Sequence, residues 1–400
     1  MADKTLLTLN TKDMVEVGEH LWMLPNQNNV LIRYNKKKRS IDYMTWIPAE
    51  SIQENSYSKL VIYRQYLVLI PYAASETLIF DTENFSFEKL QIPKTDDRYS
   101  YREYAKFSYG VCKEDCVYLL PGEFPGIVCI DMMKKEAKLV REWDPLHIKE
   151  FGNKKPEELY SVGIETYAGL DKREMYMAFY RGEKGQFGRF SFDTYDMEIY
   201  TIDDVDSYFS CIECDDENIY LVTRAGEMIC WNRKKNKVIY KYSLGLDFDK
   251  ENAKYCSCGI IGESILYGEK IYLFLLDKPQ YIEFDLNSRN MECHTFRQLK
   301  EAVRKVYISD GIVYLITAEK GEIFRYHKES IELCQMYKQK PLLYGAYVDG
   351  SWNRAFYLME DEILSLEEGL DLLTNTENER EKKYDLSIGD QIYRAIKEMK

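Results

Sequence analysis

Apolar residues fall along most of this chain in short runs that come two at a time. One unit recurs. An apolar run is followed by a turn, then by a second apolar run that closes on an aromatic and a polar residue, then by a basic or polar turn. The clear copies are residues 21–25 with 30–35, 67–71 with 77–81, 117–121 with 127–131, 175–179 with 189–193, 219–223 with 228–232, 271–275 with 281–285 and 313–317 with 322–326. A weaker eighth copy pairs 355–359 with 362–366. The runs are rich in Val, Ile, Tyr and Phe, so each is predicted to be a β-strand.

Equivalent positions in successive copies (Pro25, Pro71, Pro121, Tyr180, Thr223, Leu275, Thr317 and Glu360) lie 42 to 59 residues apart. A four-stranded propeller blade takes roughly 40–50 residues. The spacing leaves room for two further strands per unit: an outer polar strand such as 237–242, and a leading strand such as 107–111. The leading strands carry small residues, namely Ser108, Gly110, Gly163, Ser210, Ser257, Gly259 and Gly345. Glycine weakens an ordinary strand, but small side chains suit strands that crowd a common axis.

On these repeats, best seen in residues 218–232, the chain resembles the β-propeller superfamily, nearest in look to quinoprotein-like and kelch-like blades. The resemblance covers most of residues 14–372. It implies an all-β fold, a single β-propeller with eight blades preferred and seven possible if the weak last copy pairs with the N-terminal strand 5–10. The Trp-Asp ending of WD40 blades, the paired glycines of kelch blades and the tryptophan-docking motif of quinoproteins are missing. No catalytic residue or cofactor therefore carries over, and none is expected. The expected organisation is a propeller over 1–373, a polar linker over 374–386 and a short amphipathic C-terminal α-helix over 387–400. The helix would open on a capping box at Ser387 and Asp390, with Ile388, Ile392, Tyr393, Ile396 and Met399 on one stripe. It either packs on the propeller or docks a partner.

Charge narrows the partners. Lys+Arg 54 against Asp+Glu 67 gives −13 over 400 residues. Nucleic-acid affinity comes from neutralising phosphates, so nucleic acid is not an expected partner, nor is an anionic membrane. The longest apolar run, residues 66–74, is far short of the ~20 that span a bilayer. The N-terminus lacks an h-region of about 7–15 apolar residues. The ten cysteines are accordingly read as free thiols in a reducing cytoplasm.

Candidate chemistry is sparse. Cys211 and Cys214 form a CxxC and Cys256 and Cys258 a CxC, both on leading strands. Zn²⁺ takes four tetrahedral ligands, but positions i and i+3 of a strand point to opposite faces, which favours unrelated core thiols. The four histidines form no HExxH or paired motif, and His147 is read as an ordinary loop residue. Acidic clusters at Asp96 and Asp97, at Asp203, Asp204 and Asp206, and at Asp247 and Asp249 precede leading strands, where turn carboxylates are the default. The glycine-containing loops fit no phosphate-binding motif. Aromatic and basic residues are the better hint: Tyr99, Tyr101, Arg102 and Tyr104, then Glu123 and Phe124, Trp143 and Arg181 fall in connections that would open on one propeller face. Tyr, Trp and Arg are enriched at binding hot spots. The expectation is a noncatalytic binding or scaffold protein that docks a protein, peptide or glycan on this face. The alternative is a propeller enzyme, a lyase or hydrolase acting on carbohydrate or peptide.

Overall fold

Each apolar pair forms the two middle strands of a four-stranded antiparallel sheet. In the computed structural model the described residues are 5–7, 11–25, 30–48, 56–94, 105–142, 163–168, 173–180, 184–246, 261–309, 311–327, 330–334 and 336–344. They belong to the first of two units, Met1–Gly345; the second, Ala346–Lys400, lies outside them. In chain order β1 (Thr5–Leu7) precedes blade 1, made of β2 (Thr11–Val17), β3 (His20–Pro25), β4 (Val30–Asn35) and β5 (Ser40–Trp46). Blade 2 is β6 (Tyr57–Tyr63), β7 (Tyr66–Pro71), β8 (Glu76–Asp81) and β9 (Ser86–Gln91). Blade 3 is β10 (Phe107–Lys113), β11 (Cys116–Pro121), β12 (Gly126–Asp131) and β13 (Glu136–Glu142). Blade 4 is β14 (Gly163–Ala168), β15 (Glu174–Tyr180), β16 (Gln186–Ser191) and β17 (Met197–Thr201). Blade 5 is β18 (Phe209–Cys214), β19 (Asn218–Thr223), β20 (Glu227–Asn232) and β21 (Lys237–Ser243). Blade 6 is β22 (Ile261–Tyr267), β23 (Lys270–Leu275), β24 (Gln280–Asp285) and β25 (Met291–Thr295). Blade 7 is β26 (Val303–Ser309), β27 (Ile312–Thr317), β28 (Ile323–His327) and β29 (Ser330–Leu333), and β30 (Met336–Tyr344) follows it.

The chain is a seven-bladed β-propeller. This corrects the preference for eight blades. The first strands of blades 1 and 7, β2 and β26, already lie side by side, so the circle is closed by seven sheets. The eighth repeat at 355–366 lies outside the described residues, as do the linker 374–386 and the helix 387–400. The chain ends meet elsewhere than expected. β1 pairs antiparallel with β30 (Leu6 opposite Tyr337), and β30 runs parallel to β5. Together they extend the outer edge of blade 1 into a six-stranded sheet.

Besides this shared outer sheet, contacts at the inner strands close the boundary between blades 7 and 1. Lys305 Nζ meets Asp13 Oδ1, Arg304 Nη2 donates to the Thr11 carbonyl, and Tyr307 Oη accepts from the Glu16 amide at 2.9 Å. The Thr11 amide in turn donates to the Gly321 carbonyl at 3.2 Å.

The core lies between blades. Trp22, Tyr43 and Phe80 pack edge-on across the blade 1–2 boundary, with centroids 5.7 and 5.2 Å from Trp22. Phe187 and Trp231 do the same between blades 4 and 5 at 5.5 Å. The small residue Gly110 is explained by this packing, because a Cβ there would stand 2.5 Å from Ile70 Cδ1 and 2.7 Å from Val61 Cγ2 of blade 2. The polar residue that ends the third strand of the repeat also has a physical role. Asp81, Asp131 and Asp285 each accept two backbone amides of the following turn through Oδ1, and Asn35 does the same. The side chain thus replaces backbone partners in a tight hairpin.

Candidate functional site

The seven innermost strands share a defect. In each, the pairing with the second strand slips near its start: at Thr11/Asp13, Tyr57/Lys59, Phe107/Tyr109, Ile164/Thr166, Phe209/Cys211, Ile261/Glu263 and Val303/Lys305. A β-bulge re-aims side chains and tightens local twist. Here the skipped residues are Lys12, Ser58, Ser108, Glu165, Ser210, Gly262 and Arg304. At three consecutive boundaries the skipped side chain donates to the carbonyl of the first residue of the next blade's inner strand. Arg304 reaches Thr11, Lys12 reaches Tyr57 at 3.3 Å and Ser58 reaches Phe107 at 3.1 Å. The repeated bulge is therefore a stapling device that runs from blade 7 through blades 1 and 2 to blade 3.

At four of the seven slips the residue that follows is charged: Asp13, Lys59, Glu263 and Lys305. Asp13 is 1% exposed. It accepts the Leu60 amide at 2.7 Å, meets Lys305, and lies 4.0 Å from Lys59 Nζ. Lys59 in turn lies over the Tyr109 ring at 5.4 Å. On blades 5 and 6, Ser264 donates to Glu213 at 2.6 Å, and Glu213 raises the proton affinity of Glu263. Glu263 and Lys59 belong to blades 6 and 2, so their electrostatic coupling crosses the propeller axis.

These side chains are half-buried, and proton affinities shift accordingly. Burial, with Lys59 and Arg304 nearby, pulls Lys12 down to about 7. Burial lifts Glu263 to about 7 against the opposing pull of Lys59, and it raises Glu213 as well. Groups that change charge near neutrality cluster at functional sites. This belt lies at the start of the inner strands. That is the end where the connections from the outermost strand of one blade to the inner strand of the next emerge, such as 202–208 between β17 and β18 and 296–302 between β25 and β26. Chemically the belt offers a bound group both signs of charge and hydrogen-bond donors.

The sequence candidates divide unevenly. Tyr99, Tyr101, Arg102, Tyr104, Trp143 and Arg181 lie outside the described residues. Glu123 is half-buried, and its amide donates to the Ala105 carbonyl at 2.7 Å. Phe124 is fully buried and packs on Phe107 with centroids 4.7 Å apart. This corrects its reading as a surface contact: the ring fills the blade 2–3 core. Cys211 packs into the blade 5–6 boundary and Cys214 against the blade 4–5 boundary, the opposite faces that an i, i+3 strand spacing dictates. Burial raises the Cys211 thiol above its ordinary range. Cys256 and Cys258 lie outside the described residues. Among the described residues no three His, Cys, Asp or Glu side chains are placed to hold a metal. Sequence reasoning missed Lys12, Asp13, Lys59, Glu213, Glu263, Arg304 and Lys305. The available signal was the recurrence of charged residues near the starts of the leading strands.

Solved propellers resemble the chain in fold. A catalytically inactive virginiamycin B lyase from Staphylococcus aureus, solved with quinupristin, superposes with a TM-score of 0.56 at 10% identity, over 81% of this chain and 97% of that one. A streptogramin B lyase structure gives 0.55 at 10% identity, over 83% and 97%. BamB from Moraxella catarrhalis gives 0.51 at 12% identity, over 78% and 83%. No family and no curated protein matches the sequence.

Proposed function

We propose that this propeller is a noncatalytic binding or scaffold protein that docks a protein partner on the face where the charged belt opens. The observation that carries the reading is the belt itself: Lys12, Lys59, Glu263 and Arg304 come from four blades to one end of the axis. The sequence adds Tyr and Arg residues of the interface-anchor type at 99–104, which lie outside the described residues. The BamB likeness supports the fold alone. A cytoplasmic setting is part of the same proposal.

The test is affinity capture from the source proteome with the full chain, compared with a Tyr101→Ala/Arg102→Ala variant of equal thermal stability. A partner held by hot-spot side chains should lose at least about tenfold in retention, since such residues carry roughly 2 kcal/mol or more. Partner sets retained equally by both proteins would overturn the placement on this face.

A further inference from the structure

A second site lies at the opposite end of the ring-closing boundary. There the first turn of blade 1 (Gly18, Glu19), its outer turn (Lys36, Lys37, Arg39) and the blade 7 residues Ile312, Tyr314 and Arg325 enclose a cavity of about 240 Å³. The chain as a whole carries −13, yet this lining holds four cations and one carboxylate. Three of the cations have acidic partners. Lys36 meets Glu16, Lys37 meets Glu19, and Arg39 meets Glu332 at 3.2 Å. Arg325 forms no ion pair among the described residues, and its Nε is buried without a hydrogen-bond partner there. A desolvated donor left unmet is costly, more so on a charged group.

We infer that this cavity binds a tetrahedral oxyanion of the phosphate class, either free phosphate or the phosphoryl group of a small ester, with Arg325 as its anchor. A guanidinium presents a planar fork of donors that matches phosphate oxygens in a way that a lysine point charge does not. Tyr314 sits directly opposite Arg325 on the neighbouring strand. Burial raises the proton affinity of its phenol, so the hydroxyl stays a donor at neutral pH. Lys36 and Lys37 add charge from the facing blade. The volume falls below the roughly 300–1,000 Å³ of pockets for drug-sized ligands, which suits a phosphate-sized group. An occupant would touch blades 1 and 7 together and so reinforce the closure of the ring.

The experiment is calorimetric titration of the full chain with inorganic phosphate and, separately, with phosphoethanolamine, against sodium chloride at matched ionic strength. The expected result is saturable binding of one phosphate per chain. Arg325→Gln should weaken it roughly 10- to 150-fold, the range for a hydrogen bond to a charged group. Lys37→Gln changes an exposed side chain, 72% accessible, and so keeps the fold if Arg325→Gln does not. It should weaken binding by roughly twofold to fivefold through lost charge alone. Tighter binding of the ester assigns the natural ligand to that source, and equal affinities assign it to the free ion. No saturable heat beyond the chloride control, or unchanged affinity in both variants, overturns the inference.

Discussion

Ring closure by side chains makes the Asp13–Lys305 pair a sharp point of attack. Lys305→Met removes the cation and keeps the aliphatic stem. It leaves Asp13, 1% exposed, with the Leu60 amide at 2.7 Å and Lys59 Nζ at 4.0 Å. Removing one partner of a buried pair costs about 3–5 kcal/mol, because the other charge stays desolvated. The two remaining partners place this case at the low end, about 3 kcal/mol. Domains of 150–250 residues lose roughly 2–4 °C per kcal/mol, and this larger unit takes the lower figure, so Tm should fall by about 6 °C. Urea unfolding should give the same loss with an unchanged m-value, since the surface exposed on unfolding is unaltered.

The second arm is the double variant Asp13→Asn/Lys305→Met. The introduced amide carries no charge and can still accept the Leu60 N–H, so most of the penalty should vanish. A coupling energy of about 2 kcal/mol is expected between the sites, within the range for residues in contact. If Lys305→Met costs less than about 1 kcal/mol, or the double variant costs the sum of the singles, the pair does not hold the ring closed.

Three further outcomes follow from the same geometry. Gly110→Ala places a methyl against Ile70 Cδ1 and Val61 Cγ2 and should cost about 1–3 kcal/mol by overpacking; adding Ile70→Val, which removes Cδ1, should recover part of it, and a neutral Gly110→Ala in urea titrations would refute the inter-blade contact. Lys12, pulled down to about 7 by burial, is neutral in the folded state above that pH while the unfolded chain keeps its proton to about 10.4. The unfolded state binds more protons in that window, so stability should climb between pH 7 and 9, by at most about 1.4 kcal/mol per unit for this group. Lys12→Met should flatten that slope in urea midpoints at pH 7, 8 and 9, and an identical slope would refute it. Deleting residues 1–10 removes β1 from β30 at the outer edge of blade 1 and should cost about 1–2 kcal/mol in lost ladder hydrogen bonds without changing the far-ultraviolet dichroism; wholesale unfolding would show that β1 belongs to the ring.

The blades were legible because each local signal has a local cause. Strand runs such as 219–223 and 228–232 face a core on both sides of the sheet, so they read as continuous apolar stretches. The polar residue after them is required by the turn that Asp81, Asp131, Asn35 and Asp285 cap through their own side chains. Gly110 was legible as a sign of crowding, although the crowding comes from Ile70 and Val61 of the adjacent blade. Blade number is different in kind. Each blade recognises only its neighbours, so a repeat count along the sequence does not say where the circle meets itself. That is decided by one boundary, here by Arg304 and Lys305 against Thr11 and Asp13.

The charged belt was hidden for a related reason. Read alone, Lys12-Asp13 or Arg304-Lys305 is an ordinary solvated doublet, and so is Lys59 after Ser58. What gives them meaning is a slip of one residue in the strand pairing, repeated seven times. Side-chain direction alternates along a strand, so a one-residue slip changes which face a residue serves. It turns what would be outward-facing lysines into groups that staple blades and share buried carboxylates. Phe124 shows the same error with opposite sign. An aromatic in a Pro-Gly loop looks available, but the backbone bonds from residues 122–124 to residues 105 and 106 fold the loop inward and seat the ring on Phe107. In both cases the deciding quantity is the register between a segment and the strand or loop it pairs with, and composition carries no record of it.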